Sequence, residues 1–190
     1  MKKVLSLVVA IAMLLTAVAA FAEGTPSITT GDLTQVVAST DANGQPVDPF
    51  VAVTAANDTV NADIAAMTAA VASGAAPVTT YAEETQAAVA EKLPEGVKAE
   101  DLVVNEFVAI EFLSVPEAES AVTFAFGTVY AENETVVAVV TTYTGEEKTE
   151  YVLDASVNAD GTVKVVFPVD VMKAVEAADA ASMAILSSGK

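Results

Sequence analysis

The side chains of this chain that could do chemistry are mostly carboxylates: 26 Asp and Glu stand against 8 Lys and Arg. Four arrangements of them invite a chemical reading. Asp154-x-Ser156-x-Asn158-x-Asp160-Gly161 places oxygen ligands at alternate positions, as a calcium loop does. A helix-flanked calcium loop also needs Gly at its sixth position and a bidentate Glu at its twelfth. Those positions hold Ala159 and Val165, and the segment reads equally as a strand face (Asp154, Ser156) followed by a turn (Asn158 to Gly161). A second arrangement is acid gathering at the ends of a strand domain. If each strand crosses the domain, Glu117, Glu119, Glu146, Glu147 and Asp170 share one end, and Glu132, Asn158 and Asp160 the other. Hard divalent cations take such oxygens, and solvated loop charge accounts for the same residues without a metal. Third, glycoside hydrolysis needs two carboxyl groups about 5–9 Å apart. So many acids guarantee such a pair in any fold, so the pairing discriminates nothing. Fourth, Ser187-x-x-Lys190 has the form of a Ser-x-x-Lys motif but lies at the C-terminus without companion motifs. Asn57-Asp58-Thr59 and Asn133-Glu134-Thr135 are formal glycosylation sequons. The reading adopted is that no residue is catalytic, cofactor-binding or metal-binding, and that no cofactor is required.

Missing residue types support that reading. The chain has no His, Cys or Trp, and all its basic residues are Lys. Without Cys there is no disulfide, thiolate nucleophile or zinc–thiolate site. Lack of His removes the usual base near neutral pH, and lack of Arg the bidentate clamp for phosphates and carboxylates. Without Trp the chain lacks the strongest aromatic platform for cations. A formal charge of −18 repels phosphate backbones, so nucleic acid is excluded as a partner, and anionic membrane surfaces are disfavoured.

The start of the chain carries an address. Lys2 and Lys3 precede an uncharged apolar run, Val4 to Ala20, and Ala20-Phe21-Ala22 offers the small residues that a signal peptidase reads. Residues 1–22 are therefore expected to be a secretory signal peptide, cleaved between Ala22 and Glu23. The alternative is a membrane anchor, but the run is at the short edge for a spanning helix, and no later apolar stretch is longer. No membrane association is expected after cleavage. No Cys is available for lipidation, so no covalent anchor is expected either.

The elements that would position these residues change period along the chain. Leu33 to Ser39 and Val47 to Ala55 flank Asp41-Ala42-Asn43-Gly44, a hairpin signal, with Pro46 and Pro49 marking an edge. Val60, Ile64, Met67 and Val71 recur at helical spacing, with Asp58 or Thr59 as cap and Gly74 as stop. Thr80-Tyr81-Ala82-Glu83 matches a capping box and predicts a second helix over 80–92, burying Tyr81, Ala88 and Val89. From residue 102 the pattern is that of strands, with a phase break at Asn105-Glu106 that predicts a bulge. Val136 to Val140 is apolar on both faces and reads as a central strand. A short helix over 170–177 and a closing strand over 181–186 complete the chain, although the helix could extend over the latter.

Three segments carry a resemblance: MKKVLSLVVAIAMLLTAVAAFAE, LPEGVKAEDLVVNEFVAIEF and VNADGTVKVVFPVDVMKAV. In them the chain resembles small secreted proteins of Gram-positive, gut-type bacteria, a group without an assigned activity. The resemblance implies export and a sandwich-like domain, and it implies no functional residue. The expected architecture is α+β. A signal peptide (1–22) precedes an N-terminal β-hairpin with two helices (23–92) and an immunoglobulin-like antiparallel β-sandwich (93–190). The expected function is that of a secreted or surface-associated, non-catalytic structural or interaction protein, whose partner is a protein or glycan at the cell surface. A calcium- or glycan-binding module is the alternative, and a carboxylate-based hydrolase the third.

Overall fold

The computed structural model describes residues 34–189. The expected signal peptide, its cleavage residues Ala20, Ala22 and Glu23, and Lys190 lie outside the described residues. Among the described residues eleven strands and helices follow in order: β1 (Gln35–Asp41), β2 (Val51–Thr54), α1 (Asp58–Ala72), α2 (Glu83–Glu91), β3 (Val103–Phe112), β4 (Ser120–Ala125), β5 (Val136–Thr144), β6 (Glu147–Val157), β7 (Val163–Phe167), α3 (Val169–Ala177) and β8 (Ala180–Ser187), with a 3-10 turn at Pro77–Thr80 before α2. The strands form one eight-stranded sheet in the order β1-β4-β7-β6-β5-β8-β3-β2. Every neighbouring pair is antiparallel.

The expectation of a mainly antiparallel sheet accompanied by helices holds. The strands, however, belong to one barrel-like sheet and not to two separate leaves. The reason is β6, which serves two partners: Glu147 to Asp154 pair with β5, and Ala155 to Val157 pair with β7. The sheet therefore turns a corner within one strand. Its two edge strands are neighbours in sequence, so the short connection between them draws the sheet toward closure.

That connection corrects the predicted hairpin. The turn at 41–44 forms: Asp41 accepts from the amides of Asn43 and Gln45, and Gly44 takes φ +77°. The flanking strands then part after the Thr40–Pro46 bridge and the Val47-to-Ser39 bond. Strand β1 ladders with β4, and β2 with β3, at opposite ends of the strand order. Pro46 and Pro49 have no N–H to donate, so a hairpin ladder cannot continue through them.

Two apolar layers hold the sheet. The interior is filled by alternating residues such as Val122 and Phe124 of β4, Val163, Val165 and Phe167 of β7, and Met172 of α3. The outer face of β3, β8 and β5 is covered by Val60 and Met67 of α1, Val78 and Tyr81 of the 3-10 turn, and Val89 of α2. These central strands are consequently buried on both faces, as the apolar run Val136–Val140 predicts, whereas β7 alternates. Each fully buried Val, Leu, Phe or Met contributes about 1.5–3 kcal/mol, so a chain without disulfides can rest on these two layers.

Local signals were realised with small shifts. Asn57, one residue before the expected caps, caps α1: its Oδ1 accepts from the Val60 amide at 3.0 Å. Of the predicted face, Val60 and Met67 are buried, and Ile64 and Val71 are half-buried. The Thr80 capping box does not form. The Thr80 hydroxyl donates to the Pro77 carbonyl at 2.8 Å and closes the 3-10 turn, so α2 starts at Glu83. In α2, Val89 is buried as expected and Ala88 is half-buried, with Thr85 buried instead. The bulge appears where predicted, as a register shift between Val104 and Glu106. The last segment is a strand and not a helix extension, inserted between β5 and β3.

Candidate functional site

The loops fall at the two ends that the strand count predicts, but their acids do not gather. Among the described residues no three acidic side chains approach closely enough to hold a metal ion. In the calcium-like segment, Asp160 accepts from the Thr162 amide at 3.1 Å and hydroxyl at 2.6 Å, and Asn158 donates to the Thr162 hydroxyl at 2.9 Å. These bonds close the β6–β7 turn. They also hold the Asp160 carboxyl below its usual range, the Thr162 hydroxyl first and its amide second. Asp154 instead meets Lys92 of the α2 C-terminus at 2.6 Å on the exposed surface. Ser187 is buried, and its hydroxyl accepts from the Asn105 side chain at 2.8 Å. It is a sheet residue, not a nucleophile beside a base.

The densest polar arrangement lies where α1 and the 3-10 turn cover the sheet. Tyr143 of β5 stands opposite Lys148 of β6 in the ladder. Its hydroxyl donates to Asp63 Oδ2 of α1 at 2.7 Å and lies 3.2 Å from the Ser182 hydroxyl of β8. The same Asp63 oxygen receives Lys148 Nζ at 2.8 Å, and Lys148 also reaches Glu150 Oε1 at 3.2 Å. The other oxygen of Glu150 accepts from the Ala82 amide at 3.0 Å, at the entrance to α2. Lys148 Nζ sits 5.9 Å from the centre of the Tyr81 ring, a cation–π contact.

Electrostatics fix the protonation of this group. Burial works to lower Lys148, but the bonds and charges of Asp63 and Glu150 outweigh it, so the ammonium titrates above its ordinary value. Burial raises Tyr81, and the Glu150, Tyr143 and Asp63 charges add to it. Tyr143 is raised by burial and by Asp63, with Ser182 opposing. The cluster is therefore a lysine ammonium held beside Asp63 and Glu150 and flanked by two protonated phenols. A general base needs a value near the working pH, and neither the lysine nor the phenols offer one. What the arrangement does is tie α1, β5, β6, β8 and the start of α2 together.

Alternation along β6 puts Lys148, Glu150, Val152 and Asp154 on one face, and a charged strand face by itself reads as a solvent face. The helices half-bury Glu150 and Val152 there, while Lys148 stays more exposed. Asp63, in the second turn of α1, belongs to no sequence motif. One available signal was Lys148 and Glu150 sharing one strand face, an i, i+2 pair of opposite charge.

A groove of about 400 Å³ opens between β2, β3 and α1. Val53, Ile64, Phe107 and Ala109 form its apolar part, with Thr34, Thr54 and Asn61 as polar lining. Among the described residues the buried Thr34 hydroxyl has no partner, while the Asn61 side chain is engaged with the Ala56 carbonyl at 3.0 Å.

Comparison of the chain with protein-family models, with curated proteins and with solved structures returns no match. The functional reading rests on the chain itself.

Proposed function

We propose that this chain is a non-catalytic structural or interaction protein, secreted or associated with the cell surface of a bacterium, whose partner is a protein or a glycan there. The observation that carries the reading is the Asp63–Tyr143–Lys148–Glu150 cluster. Asp63, Tyr143, Lys148 and Glu150 are bonded to one another and to backbone, and act as a fastening between helices and sheet. The charge supports solubility outside a cell, and the leader-like residues Lys2 to Ala22 support export. We also read the two halves of the sheet, turned about β6 across one shared core, as akin to the leaves of an immunoglobulin-like sandwich. The helix between β7 and β8 supports that kinship.

The test uses protein purified from Glu23 onward, incubated with a broad glycan and peptide panel. No turnover is expected. Turnover that disappears on substitution of a single carboxylate overturns the non-catalytic reading. The export half is tested by the N-terminus of protein recovered from culture supernatant or envelope. Glu23 is expected, and a cytoplasmic product retaining residues 1–22 refutes it.

The alternative of a glycan-binding module has one observation in its favour, the 400 Å³ groove with its partnerless Thr34 hydroxyl. Chemical-shift mapping with a panel of neutral oligosaccharides decides it. Shifts at Thr54 and Asn61 support binding, and unmoved signals retire it.

A further inference from the structure

The bulge in β3 aims one carboxyl into the protein. Val104 lies in the outer layer, and Val108 and Ile110 lie in the interior. By strict alternation Val104 would share their side. The extra residue, Asn105, reverses the phase, so Glu106 falls on the interior side with Val108 and Ile110. Glu106 is wholly buried. One oxygen accepts from the Thr128 amide at 3.0 Å, and the other has no partner. Near it, Tyr130 is also buried with its hydroxyl unbonded, and the Glu106 charge is among the influences on that phenol.

Thr128 and Tyr130 belong to the connection 126–135 between β4 and β5, which closes this end of the barrel. Among the described residues its hydrogen bonds to the rest of the fold are few: the Glu106–Thr128 bond, a long 3.4 Å bond from the Tyr130 amide to the Gly161 carbonyl, and a pair at its base. Phe126 and Tyr130 also pack into the interior core, with Phe126 stacked on Phe124 of β4 at 5.6 Å between ring centres. At its base, Thr135 and Ser188 exchange bonds. Within it, Glu134 accepts from the Ala131 amide, and Asn133 holds φ +68°, a conformation uncommon for a residue with a side chain. Val129 is 79% exposed at its surface.

We propose that residues 126–135 form a proton-dependent cap on the barrel end, held shut while Glu106 carries its proton and opened more easily as Glu106 loses it. A neutral carboxyl can sit at this position with one accepted bond. An ionised one would bury a charge beside a bare oxygen, and among the described residues no cation is among the groups that act on it. Its ladder neighbour on β8 is Ile185. The other charged residues on β3, β8, the cap and the β6–β7 turn are Glu111, Glu132, Glu134 and Asp160, all acids. Burial accordingly raises Glu106 above the ordinary carboxylate range, with the Thr128 bonds opposing. Opening the cap returns Glu106 to water and to its ordinary value, so the closed form binds the proton more tightly. The reading extends beyond the proposed function and does not depend on it.

Linkage makes the test quantitative. With one proton coupled to opening, protection of the Thr128 amide falls about tenfold per pH unit between the ordinary carboxylate range and the raised Glu106 midpoint, then levels off. The measurement is amide exchange by NMR on the chain from Glu23, corrected for intrinsic exchange, alongside the Glu106 carboxyl carbon shift. The expected result is one shared midpoint, above the ordinary glutamate value. Glu106→Gln should flatten the Thr128 profile, and Glu134→Gln should leave it sloping. If Glu106→Gln does not fold, the wild-type titration decides alone. Glu106 titrating with the exposed glutamates, protection at Thr128 independent of pH, or a slope that survives Glu106→Gln overturns the proposal.

Discussion

Asp63→Ala tests the role assigned to the polar cluster. Asp63 Oδ2 receives both Lys148 Nζ at 2.8 Å and the Tyr143 hydroxyl at 2.7 Å. At 2.8 Å and an effective dielectric of about 20, the bare attraction is about 6 kcal/mol. Both side chains are about one-third exposed, at 34% and 28%, so water screens much of this, and desolvation of the pair opposes the rest. A net of about 1 kcal/mol remains for the ion pair. The bond to the phenol adds about 1 kcal/mol more, a modest figure because Ser182 remains available to Tyr143. The expected loss is therefore about 2 kcal/mol, or about 4–8 °C in Tm for a chain of this size. Urea and thermal unfolding of Asp63→Ala, Lys148→Met and the double variant give the coupling directly, with about 1 kcal/mol expected. A loss below about 0.5 kcal/mol for Asp63→Ala, within the range of ordinary surface substitutions, would show that the cluster does not fasten the helices and would remove the support for the proposed function.

Other substitutions probe other links. Gly161→Ala places a Cβ 2.6 Å from Val129 and 3.1 Å from the Tyr130 carbonyl, at φ +80°. It should lower stability by about 1–3 kcal/mol and loosen the cap, seen as a lower Tm together with faster exchange at Thr128. Asn57→Ala removes the α1 cap bond to Val60 and should cost about 1 kcal/mol by urea titration, whereas Thr59→Ala should cost less. Global stability should show two opposed pH dependences. Glu106 is raised by burial, so its contribution is complete below the ordinary glutamate value and is lost as pH rises through its folded value. Asp41 and Asp160 are lowered by hydrogen bonds, to Gln45 and Thr162 foremost, so their contributions exist above the ordinary aspartate value and are lost on acidification. The stability difference between Glu106→Gln and the wild type should therefore grow as pH rises above about 4.5 and reach a plateau. A difference that is constant over that range refutes the assignment.

Much of the local structure was legible because its causes are local. Gly44, Gly74 and Gly161 each stand at positive φ where a turn or helix end was read. The step from Val104 to Glu106 broke strand alternation and gave the bulge, and Val136 to Val140 showed a strand with no solvent face. Competing local bonds went unread. Thr80 can cap a helix or donate to the Pro77 carbonyl, and a four-residue motif does not say which. Partner choice was also out of reach. The turn at 41–44 is encoded by Asp41 and Gly44, but whether its strands pair with each other depends on β3 and β4, which lie far downstream of it in sequence.

The amino-acid sequence by itself determined which side-chain types this protein lacks, its acidity, the apolar run after Lys3, and the existence and period of its elements. Those properties follow from side-chain type and from spacing along the chain. Tertiary structure alone decided that β6 joins two half-sheets, that the helices cover the face carrying Lys148 and Glu150, and that Glu106 meets Thr128. Each of these depends on side chains distant in sequence sharing one small volume, where burial and charge set their state. A pattern of residues does not fix such proximities until the chain has packed.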